Sequence, residues 1–220
     1  MDKINNLVLL GPPGAGKGSV AKLLTESLNL PHISTGAIFR EEIKGETDLG
    51  KEAQAYMQKG DLVPDSLTNQ IVVRRLSKAD CQNGFILDGY PRSVEQARVL
   101  SELLDDQGRK LRAALLIWAD EEVIINRLSK RHLCADCGRD YNLDPAEIEA
   151  ESLKCACGGE LTRRRDDDPT AIRKRLKIYN DNSKPLLDYF EARDLLIKVV
   201  NEDDGLQDTV EEILHKLNTK

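Results

Sequence analysis

Across 220 residues, no apolar run approaches the ~18 needed to span a bilayer. The opening Met1-Asp2-Lys3-Ile4-Asn5-Asn6 lacks the long apolar segment of a signal peptide. Positive charge is not in excess: Lys+Arg 32 against Asp+Glu 38 leaves a net charge of −6. A whole-surface basic field for nucleic acid is therefore missing, and any anion site must be local. There is no internal repeat, no low-complexity tract and no Ser–His–Asp or Cys–His arrangement for a nucleophile. A secreted disulfide framework is also missing, because four of the 5 cysteines crowd between Cys134 and Cys157, a pattern that suits a metal cluster. These absences predict a soluble cytoplasmic chain without membrane or nucleic-acid partners. The length suits one domain with insertions or two small ones, able to bury a core without staples.

What is present begins at Gly11-Pro12-Pro13-Gly14-Ala15-Gly16-Lys17-Gly18-Ser19, directly after the apolar run Leu7–Leu10. Glycines let successive backbone N–H groups curl around a phosphate, and a helix starting there adds its positive end. Lys17 is placed to reach the outer phosphates of a nucleoside triphosphate. The spacing fits the P-loop with one departure: Gly18 stands where Ser or Thr usually follows the lysine, and a hydroxyl arrives one residue later at Ser19.

Five apolar runs read as buried strands: Leu7–Leu10, His32–Ser34, Phe85–Leu87, Ala114–Trp118 and Leu196–Val200. Helical patterns lie between them, marked by Val20, Leu23, Leu24 and Leu28, by Ile71, Val72 and Leu76, and by Ile172, Leu176 and Tyr179. Asp168-Pro169 reads as the N-cap and first residue of the last of these. The alternation predicts an α/β fold, a five-stranded parallel sheet with helices on both faces. In such sheets ligands bind beyond the carboxyl ends of the strands. The glycine loop, Ser34-Thr35-Gly36 and Asp88-Gly89-Tyr90-Pro91-Arg92 all emerge at that edge. Residues 34–63 and 131–167 break the rhythm and read as insertions over it, leaving 1–33, 64–130 and 168–220 as the core.

Arg127 and Arg131 stand four apart around a predicted helix Glu121–Lys130, so on one face. They are either solvated cations paired with local acids or a phosphate clamp, since arginine recognises phosphate oxygens in a planar, bidentate way. The run Arg163-Arg164-Arg165-Asp166-Asp167-Asp168 reads alone as solvated surface. Arg173 and Arg175 open the next helix, where a cation opposes the dipole unless an anion is near. Arginines gathered around a P-loop in an acidic chain point from nucleotide binding towards phosphoryl transfer.

Taken together, GPPGAGKGS at 11–19, ISTGAIFR at 33–40, GDLVPD at 60–65, NGFILDGYPRSVEQA at 83–97, RLSKR at 127–131 and LTRRRDDDPTAIRKRL at 161–176 resemble the adenylate kinase family, in its long bacterial form with an extended lid. The resemblance runs from end to end, and Gly18-Ser19 is typical of it. It implies a P-loop nucleoside monophosphate kinase-like fold with two mobile inserted subdomains. It also implies reversible, magnesium-dependent transfer of the γ-phosphoryl group of ATP to AMP, giving two ADP, in a monomer that maintains adenine nucleotide balance.

By position, the resemblance assigns Gly14, Ala15, Gly16, Lys17, Gly18 and Ser19 to the ATP phosphates, and Arg127 and Arg131 to ATP. Asp140 and Tyr141 would line its adenine, with a further contact near Asp203. The AMP site would comprise Thr35, Arg40, the backbone of Asp61, Leu62 and Val63, then Gly89, Tyr90, Pro91, Arg92 and Gln96. Thr35 argues against the related UMP/CMP kinases, which typically carry Ala there. Lys17, Arg92, Arg131, Arg164 and Arg175 would surround the transferred group, with Arg164 and Arg175 also gripping AMP's phosphate. Asp88 would orient magnesium through water, and Asp166 and Asp167 would help close the lid. Ala37 departs from the Asp common after Ser-Thr-Gly, so AMP affinity is expected to change without loss of activity.

Metal-bearing relatives carry a Cys-x-x-Cys pair followed by Cys-x-x-Cys or Cys-x-x-Asp. Here the pairs are Cys134-x-x-Cys137 and the tighter Cys155-x-Cys157, expected to hold a structural zinc ion; the alternative is four reduced, unliganded thiols. Cys81, ahead of a strand, reads as structural. Rival functions are a kinase for another nucleoside monophosphate, a nucleotide-dependent switch, and a zinc-bearing nucleic-acid module, the last disfavoured by the charge.

Overall fold

Four consecutive apolar residues, Leu7–Leu10, form β1, the centre of a five-stranded parallel sheet. The computed structural model describes residues 5–59, 61–144, 154–164, 167–201 and 205–220. The other strands of the sheet are β2 (His32–Ser34), β3 (Ile86–Asp88), β4 (Ala113–Trp118) and β8 (Leu196–Val200), in the order β2-β3-β1-β4-β8. In register, Val8 stands between Leu87 and Ala114, and Ser34 beside Asp88. The strand ends carrying polar motifs are thus level with one another. All five expected strands are present, with shifts of one residue at β3 and β4.

Alternate side chains feed two cores, as expected where both sheet faces are covered. Leu7, Leu9, Leu115, Ile117, Ile197 and Val199 pack with α1 (Lys17–Leu28), α6 (Glu121–Ser129) and α8 (Leu206–Thr219). Val8, Leu10, Leu87, Ala114 and Leu116 pack with α4 (Asp65–Leu76), α5 (Val94–Asp106) and α7 (Pro169–Glu191). The start of α7 follows the expected chemistry: Asp168 caps it by accepting from Thr170 N at 2.9 Å, and Pro169 is its first residue. No helix among the described residues is long and apolar enough to cross a membrane.

The first insertion contains α2 (Thr35–Lys44) and α3 (Asp48–Gln58). Phe39 and Ala53 join Ile71 of α4 in a separate small core, edged by Leu49, Met57 and Val63. The second holds a three-stranded antiparallel sheet, β6-β5-β7, from β5 (Arg131–Cys134), β6 (Asp140–Asn142) and β7 (Leu161–Arg163). Here the helix expectation is corrected. Helix α6 ends at Ser129 with Lys130 as its C-cap, and Arg131 already begins β5, so Arg127 and Arg131 do not share a helix face.

Candidate active site

A cleft of about 1260 Å³ opens along the carboxyl edge of the sheet, between the two insertions. Its floor is the glycine loop. Gly16 has φ +87°, and a Cβ there would collide with the Asn201 amide, so only glycine lets β8's end close on the loop. Asn201 Nδ2 donates to Ala15 O at 2.8 Å, while Arg127 Nη1 donates to Asn201 O at 3.2 Å. Helix α1 starts at Lys17 with no side-chain cap and no acid in its first turn. Its N-terminal N–H groups and dipole thus meet no acidic residue of the helix itself, which favours an anion in the cleft. Gly18 stands exposed, with open space where a Cβ would be, and Ser19 lines the cleft.

Lys17 Nζ donates to the carbonyls of Gly11 and Pro12 at 2.8 and 2.7 Å. Its pKa is pushed down to about 8, chiefly by burial; Asp88 opposes the shift, and Arg92, Arg175 and Arg131 add to it. Three arginines from β5, α7 and the loop after β3 therefore converge with Lys17. Such a concentration of positive charge suits several phosphates. Asp167, whose side chain is 2 % exposed, accepts from Arg131 Nε at 2.7 Å and from Arg175 Nη1 at 3.3 Å. It holds these two guanidinium groups side by side. Arg164 pairs with Asp140 at 2.7 Å, while its buried Nε has no hydrogen-bond partner.

Asp88 ends β3 within the same cleft. Burial alone would raise its pKa, yet the His32 imidazole 3.6 Å away, with Lys17 and Arg92 nearby, holds it below the ordinary carboxylate value. An ionised carboxylate at this position fits a hydrated magnesium ion.

On the opposite wall, Gly89 (φ +81°) leaves room for Thr35 Oγ1, which a Cβ there would meet at 2.6 Å. Thr35 Oγ1 donates to Asp88 O at 3.3 Å, and Arg92 Nε to Gly89 O at 2.8 Å. Arg40, Asp61, Leu62, Val63 and Pro91 also line this wall. Both ends of the Gln96 carboxamide are engaged: Oε1 accepts from Arg92 N, and Nε2 donates to Asp65 Oδ1, each at 2.7 Å. Ser34 caps α2 by accepting from the Ala37 amide at 3.3 Å. No carboxylate at position 37 is needed to start that helix.

Two expected site residues do not line the cleft. Ala15 is fully buried, its N–H turned to Pro12 O at 3.3 Å. Tyr90 is 1 % exposed, and its hydroxyl donates to Asn69 Oδ1 at 2.8 Å and lies 3.0 Å from Gln96 O. Asp203 and Asp166 lie outside the described residues. Among residues without an assigned role, His32 lies 3.6 Å from Asp88, and Asn201 braces the loop. The strand-end rule could have found Asn201, which directly follows β8; nothing in the sequence singles out His32. Cys81 is buried and accepts from Arg75 Nη1 at 2.9 Å, as a structural residue would.

The sulfurs of Cys134, Cys137, Cys155 and Cys157 lie within 4.8 Å of one another. Two pairs, Cys134–Cys157 and Cys137–Cys155, stand at 3.5 and 3.4 Å. Tetrahedral Zn–S bonds of about 2.3 Å would set sulfurs roughly 3.8 Å apart, so the tightened second pair is compatible with such an ion. The backbone N–H of Cys157, then the Tyr141 hydroxyl, bring the Cys155 thiol down to about 6 against the opposing effect of burial. Cys157 is pushed up to about 12: the Gly159 N–H favours its thiolate, but the three neighbouring thiols outweigh it. Four sulfurs competing for negative charge is the environment a thiophilic cation relieves.

A triphosphate-type loop facing a second wall of phosphate-ready residues, on this sheet order, defines a P-loop nucleoside monophosphate kinase fold. Comparison narrows the class. The sequence model of the adenylate kinase family matches residues 9–195. The chain is 48% identical over 213 residues to an adenylate kinase of Thermosipho melanesiensis, covering 97% of this chain and 98% of that one. It is 48% identical over 195 residues to one from Methanocella arvoryzae (89% and 90%), and 46% over 209 residues to one from Thermotoga maritima (94% of each). The chain belongs to the adenylate kinase family.

Proposed function

We propose that the protein reversibly transfers the γ-phosphoryl group of ATP to AMP, giving two ADP, by direct in-line transfer without a covalent intermediate. The observation that carries this reading is the convergence of Lys17, Arg92, Arg131 and Arg175 between the glycine loop and the Thr35–Gly89 wall. Phosphoryl transfer asks a protein for positioning and charge neutralisation rather than covalent chemistry. Gly14, Gly16, Gly18 and Ser19 bind the ATP phosphates, with Ala15 contributing only loop backbone. Lys17 follows the migrating group, and Arg127, Asp140 and Tyr141 serve the base end of ATP. Thr35, Arg40, Asp61–Val63, Gly89–Arg92 and Gln96 position AMP. Here buried Tyr90 acts by holding Asn69 and Gln96, and Gln96 in turn fixes Arg92 and Asp65. Arg131, Arg164 and Arg175 bear on the phosphoryl oxygens as charge spreads over them.

Magnesium bound with ATP supplies further neutralisation of the phosphate charge, and Asp88 would hold it through water. Residues 34–63 and 131–167 act as acceptor flap and lid, excluding water from the cleft. The cysteine cluster holds a structural zinc ion, since four protein ligands leave no open position for catalysis. The protein works as a cytoplasmic monomer without membrane or nucleic-acid partners.

The test offers the protein Mg-ATP with AMP, CMP, UMP or GMP and follows ADP. Transfer to AMP alone, lost by at least about 10²-fold in Lys17→Met, is expected. ATP hydrolysis indifferent to the acceptor would overturn the reading.

A further inference from the structure

The tightened cysteine pair places a cleft residue in contact with the thiol cluster. Tyr141 lies at the middle of β6, an edge strand of the lid sheet among the described residues, paired with His132 of β5. It is half-buried, lines the cleft, and belongs to none of the apolar clusters. At its far end the hydroxyl lies near the Arg139 guanidinium and 3.1 Å from Cys155 Sγ, and accepts from Ala156 N at 3.3 Å. With the oxygen accepting that N–H, its single proton is available to the sulfur. Both partners sit in the one-residue spacer turn, which Gly158 N closes onto Cys155 O at 2.7 Å.

We propose that Tyr141 is a positioning residue coupling metal occupancy of the cysteine cluster to the affinity of the ATP base subsite. The proposal rests on the zinc reading and on the assignment of ATP's base to Asp140–Tyr141. A bound cation fixes Cys155 Sγ and the turn carrying Ala156, so the two contacts fix the Tyr141 hydroxyl and with it the ring facing the cleft. Groups that hydrogen-bond a metal ligand orient that ligand, and here the orientation runs outward as well. By linkage, whatever factor metal adds to ATP affinity, ATP must add to metal affinity. AMP, bound on the Thr35–Gly89 wall, is outside this coupling.

The test uses the full chain loaded with Co2+, whose absorption reports tetrahedral thiolate coordination, with chelator competition giving the metal affinity. A non-hydrolysable ATP analogue should shift the cobalt bands and tighten cobalt binding by about fivefold. AMP at saturation should do neither. Tyr141→Phe, which keeps the ring, should retain the tetrahedral bands and lose both responses. A hydroxyl that merely stabilised the lid would change metal affinity equally with and without nucleotide, and that result overturns the coupling. So do bands and affinity unmoved by the analogue in the unaltered protein. Failure to see tetrahedral cobalt bands at all would instead remove the metal reading, and the coupling with it.

Discussion

The described residues of 34–63 and 131–167 overhang the same cleft, but different forces hold each set together. The acceptor flap buries Phe39 and Ala53 against Ile71 and rests on α4. Among the described residues of the lid, the buried side chains are His132, Cys134, Cys155 and Asp167, with no apolar cluster. A flap stabilised by hydrophobic area is insensitive to metal and redox conditions. On the zinc reading proposed above, a lid held by sulfur and ion pairs would depend on both conditions, being too small to close on apolar contacts.

The sharpest test of that contrast is Cys134→Ser. Loss of one ligand should cost the lid on the order of 5 kcal/mol, with a lowered melting temperature and faster amide exchange over β5–β7. Exchange in α2 and α3 should stay unchanged; an unaltered melting curve together with no bound zinc would sink the metal reading. Phe39→Ala is the mirror experiment: about 3 kcal/mol lost from the flap core, a raised KM for AMP and an unaltered KM for ATP. Equal changes in both KM values would show that the flap is not energetically separate. Asp167→Asn comes next, at about 2 kcal/mol, because its charge is buried against partly exposed arginines. It should lower kcat more than it weakens either nucleotide, as measured by steady-state kinetics.

The smallest effect concerns protons. Lys17, pushed down to about 8, is protonated well below that pH whether folded or unfolded, so its folding penalty is full there and fades towards pH 10.5. A triphosphate beside it restores the charged form. ATP binding at pH 8 should therefore take up about half a proton, and AMP binding far less. Calorimetry in buffers of different ionisation heat measures this, and zero uptake with ATP would contradict the burial of Lys17.

Much of this arrangement was legible because buried strands in an α/β sheet are short apolar runs, and the strand-end rule ordered the motifs. The glycine loop, Asp88, Thr35 and the cysteines all stand where that rule or their spacing put them. The rest depended on tertiary contacts. Helix periodicity continued through Lys130, but the chain turned into β5 there, so Arg131 reached the cleft from a strand. Asn201 stands at a strand end, but its role of bracing the loop appears only in the packing of β8's end against Gly16. Ala15 and Tyr90 sit inside matching motifs, and their burial is invisible to any pattern of residue types.

The central place of β1 has a consequence for synthesis. The strand that carries the glycine loop leaves the ribosome well before its neighbours, which are distant in sequence: Leu7 pairs with Ile86 on one side and Ala113 on the other. Such non-local pairing slows folding and leaves an apolar strand uncovered until both partners are made. The glycine loop, which we propose binds phosphate, is made before either partner strand and acquires its shape only once residues 86–88 and 113–116 are made.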